Sequence, residues 1–514
     1  MMKSEGFYAG RGSIDPERPW HHPKRLISLG HQSPKNTTEQ YSTTLIIFSH
    51  FLKTINSPKR PRICMQGAKP IKKAVPFSRR QIVELEKKYP TPFHIYDEQA
   101  IRAGARRLYR AFSWVKNSDG EAGGFKNFFA VKALPNPYIL RILHEEGMGA
   151  DCSSLPELLL AEAAGIKGEE IMLTSNDTPE EEFVLAKKMG AVINLDDITH
   201  IDFLERVAGI PRLICFRYNP GEEYSHGNPI IGNPAEAKYG LTHDQILKAY
   251  RTAQKKGAQR FGLHAMIVSN QRSEDILVEA ARLLFGLAVE IHEKTGIRVE
   301  FINLGGGIGI PYSPVDPMVD IEKYARGVHK AYKEIIVKNG LAPIRVVMES
   351  GRAVTGPYGY LVSRVRHVAR KHRDYVGLDA CMANLMRPAL YGAYHHITVL
   401  GKENRPPDHV YDVTGSLCEN NDKFAVQRFL PAMSPGDLVV IHDTGAHGHA
   451  MGFNYNGKLR SAEFLMQKGG TFRLIRRAET ANDYFATLDF EGSDFSRLVR
   501  KKTPEAAKAG RRNR

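Results

Sequence analysis

Asn127-Phe-Phe-Ala-Val-Lys-Ala133 is the first of eight short apolar runs whose order decides the fold. Amphipathic stretches such as 155–164, 179–189 and 274–294 lie between these runs. Strands that are apolar on both faces and alternate with helices indicate a parallel sheet. Eight such units within roughly 225 residues predict a closed (β/α)₈ TIM barrel rather than an open doubly wound sheet. The runs are Asn127–Ala133, Gly149–Ser153, Ile171–Ser175, Ala191–Leu195, Leu213–Tyr218, Phe261–Val268, Val299–Leu304 and Ile344–Glu349.

The pattern changes after Arg352, where alternating runs are separated by Gly, Pro and Asn, as in antiparallel sheets. These runs are Gly359–Val368, Leu438–His442 and Thr471–Arg476, and the earlier Phe93–Asp97 is expected to join the same sheet. We therefore predict an α/β protein with a C-terminal β-sandwich or barrel domain. The predicted parts are an N-terminal extension 1–73, a lead-in 74–125, the barrel 126–352, the β domain 353–490 and a tail 491–514.

The net charge of +16 is confined to the two ends of the chain. Residues 1–73 hold 13 Lys and Arg against 4 Asp and Glu, and residues 497–514 hold 8 against 1. The residues between them, 74–496, carry 51 of each sign and are neutral. The charge of the folded body therefore gives no reason to expect a nucleic-acid partner.

The extension and the cysteines point to a cytoplasmic protein. Residues 1–64 are rich in Pro, Ser, Arg and His and have no periodicity, which favours disorder or an upstream start before Met65. A targeting segment is the alternative, although its acidic residues are atypical of a transit peptide. Five scattered cysteines do not form a disulfide framework. No apolar run approaches the ~20 residues that span a bilayer, and we predict no metal site.

Functional side chains of such a barrel gather at the C-terminal ends of its strands. Lys132 ends an apolar run, where desolvation favours the neutral amine that attacks an aldehyde; a lysine reaching out from a strand end is the alternative. Gly305–Gly307 follow the seventh run, where glycines let backbone N–H groups approach a phosphate, or simply form a tight turn. Other polar residues at these ends are Asp151, Ser153, Asn176, Arg217 and His264.

Two further residues carry possible chemistry. Glu349 ends the eighth run, and a carboxylate facing a pyridine nitrogen keeps that nitrogen protonated, so that the ring accepts electrons from a carbanion. An ion pair with Arg352 is the alternative. Cys418 precedes Glu419, and a thiol beside a carboxylate suits proton delivery at a site that recognises an amine. A buried, inert cysteine is the alternative.

Over about residues 77–490 the chain resembles the fold-type-III PLP-dependent decarboxylases, and among them the diaminopimelate decarboxylases. The motifs occur in the order of that family, which makes them specific together. They are Ala-Val-Lys-Ala at 130–133, Asp-Cys-Ser-Ser at 151–154, Gly-Gly-Gly-Ile-Gly at 305–309, Glu-Ser-Gly-Arg at 349–352, Arg-Pro-Ala-Leu-Tyr-Gly at 387–392, Cys-Glu-Asn-Asn-Asp at 418–422 and Asn-Tyr-Asn at 454–456.

The resemblance implies an alanine-racemase-like barrel, a homodimer with active sites shared between subunits, and pyridoxal 5'-phosphate (PLP) as cofactor. Carried over by position, the cofactor is held by Lys132, Ser269, Gly305, Gly306, Gly307, Glu349 and His447. The substrate is bound by Arg352, Arg387, Tyr391, Glu419 and His447, and Cys418 from the partner subunit is the proton donor. Two arginines and a carboxylate fit a substrate whose far end is itself an amino acid. This implies decarboxylation of meso-diaminopimelate to L-lysine and CO2.

Four positions depart from the pattern of the family. Met266 stands where a histidine stacked on the PLP ring is expected, and Val268 replaces a glycine near the phosphate. Ser350 replaces a proline, and His447 replaces a tyrosine that touches cofactor and substrate. These changes leave the substrate open. The alternatives are a decarboxylase of ornithine, arginine or carboxynorspermidine, an amino-acid racemase, and a non-catalytic PLP-binding paralogue.

Overall fold

The computed structural model describes most of the chain between Ile71 and Asp489. The described residues are 71–117, 119–121, 123–223 and 234–489. Residues 1–70 of the predicted extension and the predicted tail 491–514 lie outside them. No helix among the described residues is long and apolar enough to cross a membrane.

Three elements precede the barrel, and polar side chains start its first helices. They are α1 (Arg79–Glu86), β1 (Phe93–Asp97) and α2 (Glu98–Ala111). The Ser78 and Gln81 side chains each accept a hydrogen bond from the other residue's backbone N–H at the start of α1. The Asp97 carboxylate accepts the N–H of Ala100, which ends β1 and begins α2 within one residue.

Eight parallel strands close into a barrel, because the first strand, Lys126–Ala130, pairs with the last, Arg345–Met348, as well as with the second, Gly149–Cys152. Nearly every residue of these strands is buried, as expected when helices cover the outside and side chains fill the inside. The strands are β2 (Lys126–Ala130), β3 (Gly149–Cys152), β4 (Ile171–Thr174), β5 (Val192–Leu195), β6 (Leu213–Tyr218), β7 (Arg260–Ala265), β8 (Phe301–Asn303) and β9 (Arg345–Met348).

Helices follow the barrel strands and pack on them through one continuous apolar layer. In α8 (Glu274–Thr295), for example, the hydroxyl of the N-cap residue Ser273 accepts the N–H of Ile276, and the C-cap residue Gly296 has φ +73°. The helices are α3 (Pro137–Glu145), α4 (Leu155–Ala163), α5 (Glu180–Lys188), α6 (His200–Val207), α7 (His243–Lys255), α8 (Glu274–Thr295), α9 (Ile321–Tyr332) and α10 (Arg352–Thr355).

The residues after α10 form a second, mostly antiparallel β domain with two short helices, α11 (Arg387–Tyr391) and α12 (Ala481–Phe485). The long strand β10 (Gly359–Arg370) pairs with β1 and β15 (Leu438–Ile441) at its start and with β11 (Asp374–Leu378) at its end, so that it connects two apolar clusters. The strands are β10 (Gly359–Arg370), β11 (Asp374–Leu378), β12 (Ile397–Val399), β13 (His409–Thr414), β14 (Lys423–Leu430), β15 (Leu438–Ile441), β16 (Ala462–Met466) and β17 (Phe472–Arg476).

The strand order of the β domain is β14-β13-β11-β10-β1-β16-β17, with β15 bound to β10 and β12. β1 joins this sheet as the sequence predicted, but it runs parallel to β16, and β11 runs parallel to β13. The predicted TIM barrel with a C-terminal β-sandwich is confirmed. The carboxyl ends of the barrel strands and the β domain together position the side chains described next.

Candidate active site

Lys132 lies just past β2, in a turn of 3₁₀ helix over Val131–Ala133. Its side chain is exposed, which agrees with the alternative of a lysine reaching out from the strand end rather than with a desolvated lysine. The strand ends two residues earlier, at Ala130, and the Lys132 amine lies close enough to Asp151 and Glu349 to affect both carboxylates electrostatically. The N–H of His447 in the β domain donates to the Ala133 carbonyl at 2.9 Å, which fixes this turn from the second domain.

Glu349 is buried at the end of β9 and pairs with a histidine rather than with Arg352. His264 Nε2 lies 3.2 Å from its Oε2 atom, and Asn194 Nδ2 lies 2.8 Å from His264 Nδ1. Burial alone would raise the pKa of Glu349, but the charge of His264, with those of Lys132 and Arg217, lowers it to about 2. Glu349 therefore keeps a negative charge inside the barrel at neutral pH.

Two more carboxylates lie at neighbouring strand ends. Asp151 is the residue before the last of β3 and is buried, and its Oδ1 atom has no hydrogen-bond partner among the described residues. Burial and the charge of Glu349 raise the pKa of Asp151 well above its ordinary value. Asp196 pairs with Arg217 Nη1 at 2.7 Å and accepts from Asn176 at 2.5 Å. The unpartnered, buried Oδ1 atom of Asp151 marks a place where a cationic or N–H group of a ligand is favoured.

The glycine loop after β8 leaves no room for side chains. Gly305 and Gly307 have φ of +70° and +85°, and a Cβ on either would lie 2.4 Å from a backbone carbonyl oxygen of β7 or the loop that follows it. The Gly306 N–H donates to the sulfur of Met266 at 3.3 Å. Ser269 is buried near this loop, with 7% of its surface exposed. The predicted phosphate-binding residues thus meet at one side of the mouth.

A second cluster contains both predicted arginines. Arg387 is 2% exposed, and its guanidinium lies 4.5 Å from the ring centre of Tyr312. Arg352 Nη1 donates to Tyr312 Oη at 2.5 Å. Desolvation and the charges of Arg352 and Arg387 lower the pKa of His447 well below its ordinary value, so its imidazole is neutral beside them. Tyr391 ends α11, close enough for its hydroxyl to affect Arg387 electrostatically.

Cys418 and Glu419 lie on an exposed loop of the β domain. The Cys418 thiol is exposed, so the alternative of a buried inert cysteine is wrong. The Cys418 N–H donates to Asn456 Oδ1 at 2.8 Å, and Glu419 accepts the N–H of Asn421 at 3.1 Å. Among the described residues of one chain, neither side chain bonds to Lys132, so the predicted donation from a partner subunit stays a prediction.

Several residues of the site were missed or left without a role by the sequence analysis. The sequence places His264 and Arg217 at strand ends, but it does not indicate that they pair with Glu349 and Asp196. Asp196 directly follows β5 and could have been found by the same rule. Tyr312 lies beyond the glycine loop, where neither periodicity nor a motif indicates that it joins the two arginines.

The residues fit one kind of ligand. An exposed lysine amine, a glycine loop and a buried carboxylate lie around one barrel mouth, and Asp151 and Asn194 each keep an unpartnered buried oxygen. This arrangement accommodates an aldehyde-bearing heterocycle with a phosphate group. The arginine pair beside it accommodates a carboxylate.

Comparisons with known proteins agree with this geometry. Residues 107–356 match the family described as pyridoxal-dependent decarboxylase, pyridoxal binding domain. Protein TabA of Pseudomonas amygdali pv. tabaci is 44% identical over 80% of this chain and 94% of its own length. Diaminopimelate decarboxylase of Methanothermobacter thermautotrophicus is 36% identical over 78% and 92%.

A solved structure gives the same result at the level of the fold. The crystal structure of diaminopimelate decarboxylase from M. jannaschii in co-complex with L-lysine superposes with a TM-score of 0.72 at 30% identity. The match covers 80% of this chain and 94% of that chain, so it includes both the barrel and the β domain.

Proposed function

The chain belongs to the fold-type-III PLP-dependent decarboxylases, and from that premise we propose that its substrate is meso-diaminopimelate, converted to L-lysine and CO2. As a member of this family it is a carboxy-lyase with PLP as cofactor. The relative with 44% identity has a name that states no reaction. The choice of substrate therefore rests mainly on the site.

The observation that supports this substrate is an arginine pair without a carboxylate partner. Neither Arg352 nor Arg387 forms an ion pair with any described residue, although Arg387 is almost fully buried. Buried charges are normally paired, so a substrate carboxylate is the group that this place lacks. A substrate with a plain amine at its far end, such as ornithine, would leave both guanidinium groups without an anion.

Bound PLP supplies an aldehyde for an amine and a ring that accepts the electron pair left by departing CO2. Lys132 would hold it, Gly305–Gly307 and Ser269 would bind its phosphate through N–H and O–H donors, and Glu349 would face its ring nitrogen. His264 keeps Glu349 ionised and oriented. Met266 would contact the ring through a thioether, a softer and uncharged group than the histidine of related enzymes.

The remaining roles concern the substrate. Arg352 and Arg387 bind the distal carboxylate by charge-assisted hydrogen bonds, each worth about 1.5–3 kcal/mol. Glu419 and Cys418 come from the partner subunit of a homodimer, where Glu419 binds the distal ammonium and Cys418 delivers a proton to the α-carbon. The exposure of the Cys418 thiol supports this arrangement. A cytoplasmic location is part of the same proposal.

Product analysis tests the substrate directly. PLP-loaded protein is incubated with meso-diaminopimelate, ornithine, lysine, arginine and carboxynorspermidine, and the products are identified by mass spectrometry. We expect CO2 and L-lysine from meso-diaminopimelate alone. The Lys132→Ala protein is the matched control and should form no product. A diamine formed from ornithine or lysine at a higher rate would contradict the proposal.

The cofactor lysine has its own test. Borohydride reduction of the loaded protein followed by peptide mapping should recover the cofactor on Lys132. Recovery on another lysine would contradict this assignment without affecting the substrate result.

A further inference from the structure

Tyr312 is the common neighbour of both arginines. Its hydroxyl accepts from Arg352 Nη1 at 2.5 Å, and the guanidinium of Arg387 lies over its ring at 4.5 Å from the centre. The ring is 5% exposed. Tyr312 therefore contacts both cations, Arg352 through its hydroxyl group and Arg387 through the face of its ring.

The other partner of Arg387 is also neutral. Arg387 Nη1 donates to His395 Nε2 at 3.0 Å, and His395 Nδ1 donates to the His442 carbonyl at 2.8 Å. An arginine donates only, so His395 Nε2 must be the unprotonated nitrogen and the ring must be uncharged. Burial and the charge of Arg387 lower the pKa of His395 well below its ordinary value, in agreement with this. The His395 ring also packs edge-on against Tyr312, with centroids 4.9 Å apart.

The carboxylate that affects Arg387 electrostatically is bound elsewhere. Asp443 pairs with Lys73 Nζ at 2.7 and 2.9 Å. Lys73 also donates to the Pro311 carbonyl at 2.5 Å, and the Ile71 N–H donates to the Pro314 carbonyl at 2.8 Å. These bonds hold the loop on both sides of Tyr312 and keep Asp443 on a different cation.

We propose that Tyr312 is the positioning residue that makes the arginine pair selective for a substrate with a distal carboxylate. It orients Arg352 and Arg387 without neutralising them, since a phenol satisfies guanidinium donors and adds no negative charge. An acidic residue in its place would compete with the substrate. This inference rests on the proposed function, because it explains how that same site chooses its substrate.

Tyr312→Phe is the first test, because it removes one oxygen atom and keeps the ring. Without this hydroxyl Arg352 is no longer oriented, and the substrate carboxylate loses about one charge-assisted hydrogen bond. We therefore expect KM for meso-diaminopimelate to rise about 10–100-fold, with kcat changed less than about twofold. Tyr312→Leu also removes the ring beneath Arg387 and should raise KM further. A role in folding alone would not change KM while sparing kcat.

Tyr394→Phe is the matched control. Tyr394 likewise lies under an arginine, with Arg428 3.8 Å from its ring centre, but it makes no described contact with Arg352 or Arg387. Its KM and kcat should match those of the wild type. An equal rise of KM in Tyr394→Phe and Tyr312→Phe would overturn the proposal.

Calorimetric binding of pimelate, a dicarboxylate without amino groups, separates this inference from the proposed function. Pimelate should bind the wild-type holoenzyme and bind Tyr312→Phe at least tenfold more weakly. If the wild type does not decarboxylate meso-diaminopimelate but pimelate binding still depends on Tyr312, the proposed substrate fails and the arginine site stands. Equal pimelate affinity in both proteins, or unchanged KM in Tyr312→Phe, would overturn the role of Tyr312.

Discussion

Cys418 differs from the other described cysteines in its exposure. Cys152, Cys215 and Cys381 are buried, and burial raises the pKa of each thiol. Those three thiols are held as neutral apolar groups within the fold. Cys418 is the described cysteine that is accessible to another subunit or to a substrate.

Cys418→Ala should therefore lower kcat by about 10²–10⁴-fold and leave KM nearly unchanged, because a proton donor acts in the transition state. Steady-state kinetics and the absorbance of the bound cofactor are the measurements, and the absorbance should not change. Cys381→Ala removes a buried thiol and should keep turnover near that of the wild type. Similar turnover in both variants would exclude Cys418 as the donor.

Mixed subunits test whether the site is shared. The Cys418→Ala and Lys132→Ala proteins should each have little or no activity, and in the proposed homodimer with shared sites a hybrid dimer has one site with both native residues. Unfolding and refolding the two proteins together should recover activity. A hybrid dimer, isolated by different affinity tags, that stays inactive would show that Cys418 and Lys132 act within one chain.

Strands β16 and β17 fix the loop that follows Lys132, the predicted cofactor lysine. Glu463 on β16 is fully buried, accepts from Tyr96 Oη at 2.6 Å and pairs with Arg476 on β17. Arg476 Nη2 in turn donates to the Pro135 carbonyl at 2.8 Å, and Asn136 Nδ2 donates to Glu463 at 3.4 Å. The β domain thereby holds a loop three residues past Lys132.

This pair should contribute stability that depends on pH. Burial alone would raise the pKa of Glu463, but the charges of His449 and Arg476 and the hydrogen bonds donated by Tyr96 and Arg476 lower it to about 2, from an ordinary value of 4.5. A depressed carboxylate pKa stabilises the fold above pH 4.5, and this stability is lost as pH falls towards 2.

Glu463→Gln should lower the free energy of unfolding at pH 7 by about 1.5–3 kcal/mol, because the hydrogen bonds from Arg476 and Tyr96 lose a charged acceptor while the half-buried Arg476 stays partly solvated. The difference from the wild type should shrink between pH 4.5 and 2. Urea unfolding at several pH values measures it. Glu334→Gln, which breaks a surface pair with Arg282, is the control and should have no measurable effect. A pH-independent difference would contradict the assignment.

At the scale of the whole molecule, the segment just before α1 links the two domains. Ile71 bonds to the barrel loop at Pro314, and Lys73 bonds both to that loop and to Asp443 of the β domain. The sequence analysis placed these residues in the extension 1–73. Their contacts show that the last three residues of that predicted extension are part of the folded body.

Truncation should separate the two parts of the extension. A chain beginning at Met65 should keep its melting temperature and activity, because residues 1–64 have no periodicity or apolar face. A chain beginning at Ala74 should melt lower and bind the substrate more weakly, since Asp443 is left buried without its cation. Thermal unfolding and KM measure both effects. Equal behaviour of the two chains would contradict the role of Lys73.

The sequence alone determined the barrel and the residues at its mouth. Eight apolar runs alternate with helices, and the observed strands end within three residues of the predicted ends. Lys132, Gly305–Gly307 and Glu349 follow from the rule that functional groups lie at strand ends. These signals are local, since each depends on a few neighbouring residues in the chain.

The tertiary structure alone decided which side chains meet. His264 pairs with Glu349 across 85 positions of sequence, and Tyr312 joins Arg352 to Arg387. The tertiary structure likewise decided between the two readings of Lys132 and gave the parallel pairing of β1 with β16. The physical reason is that a hydrophobic pattern specifies a buried face but not its partner. The partners are set by the strand register around the barrel and by the packing of the two domains. Both depend on residues that are distant from each other in the sequence.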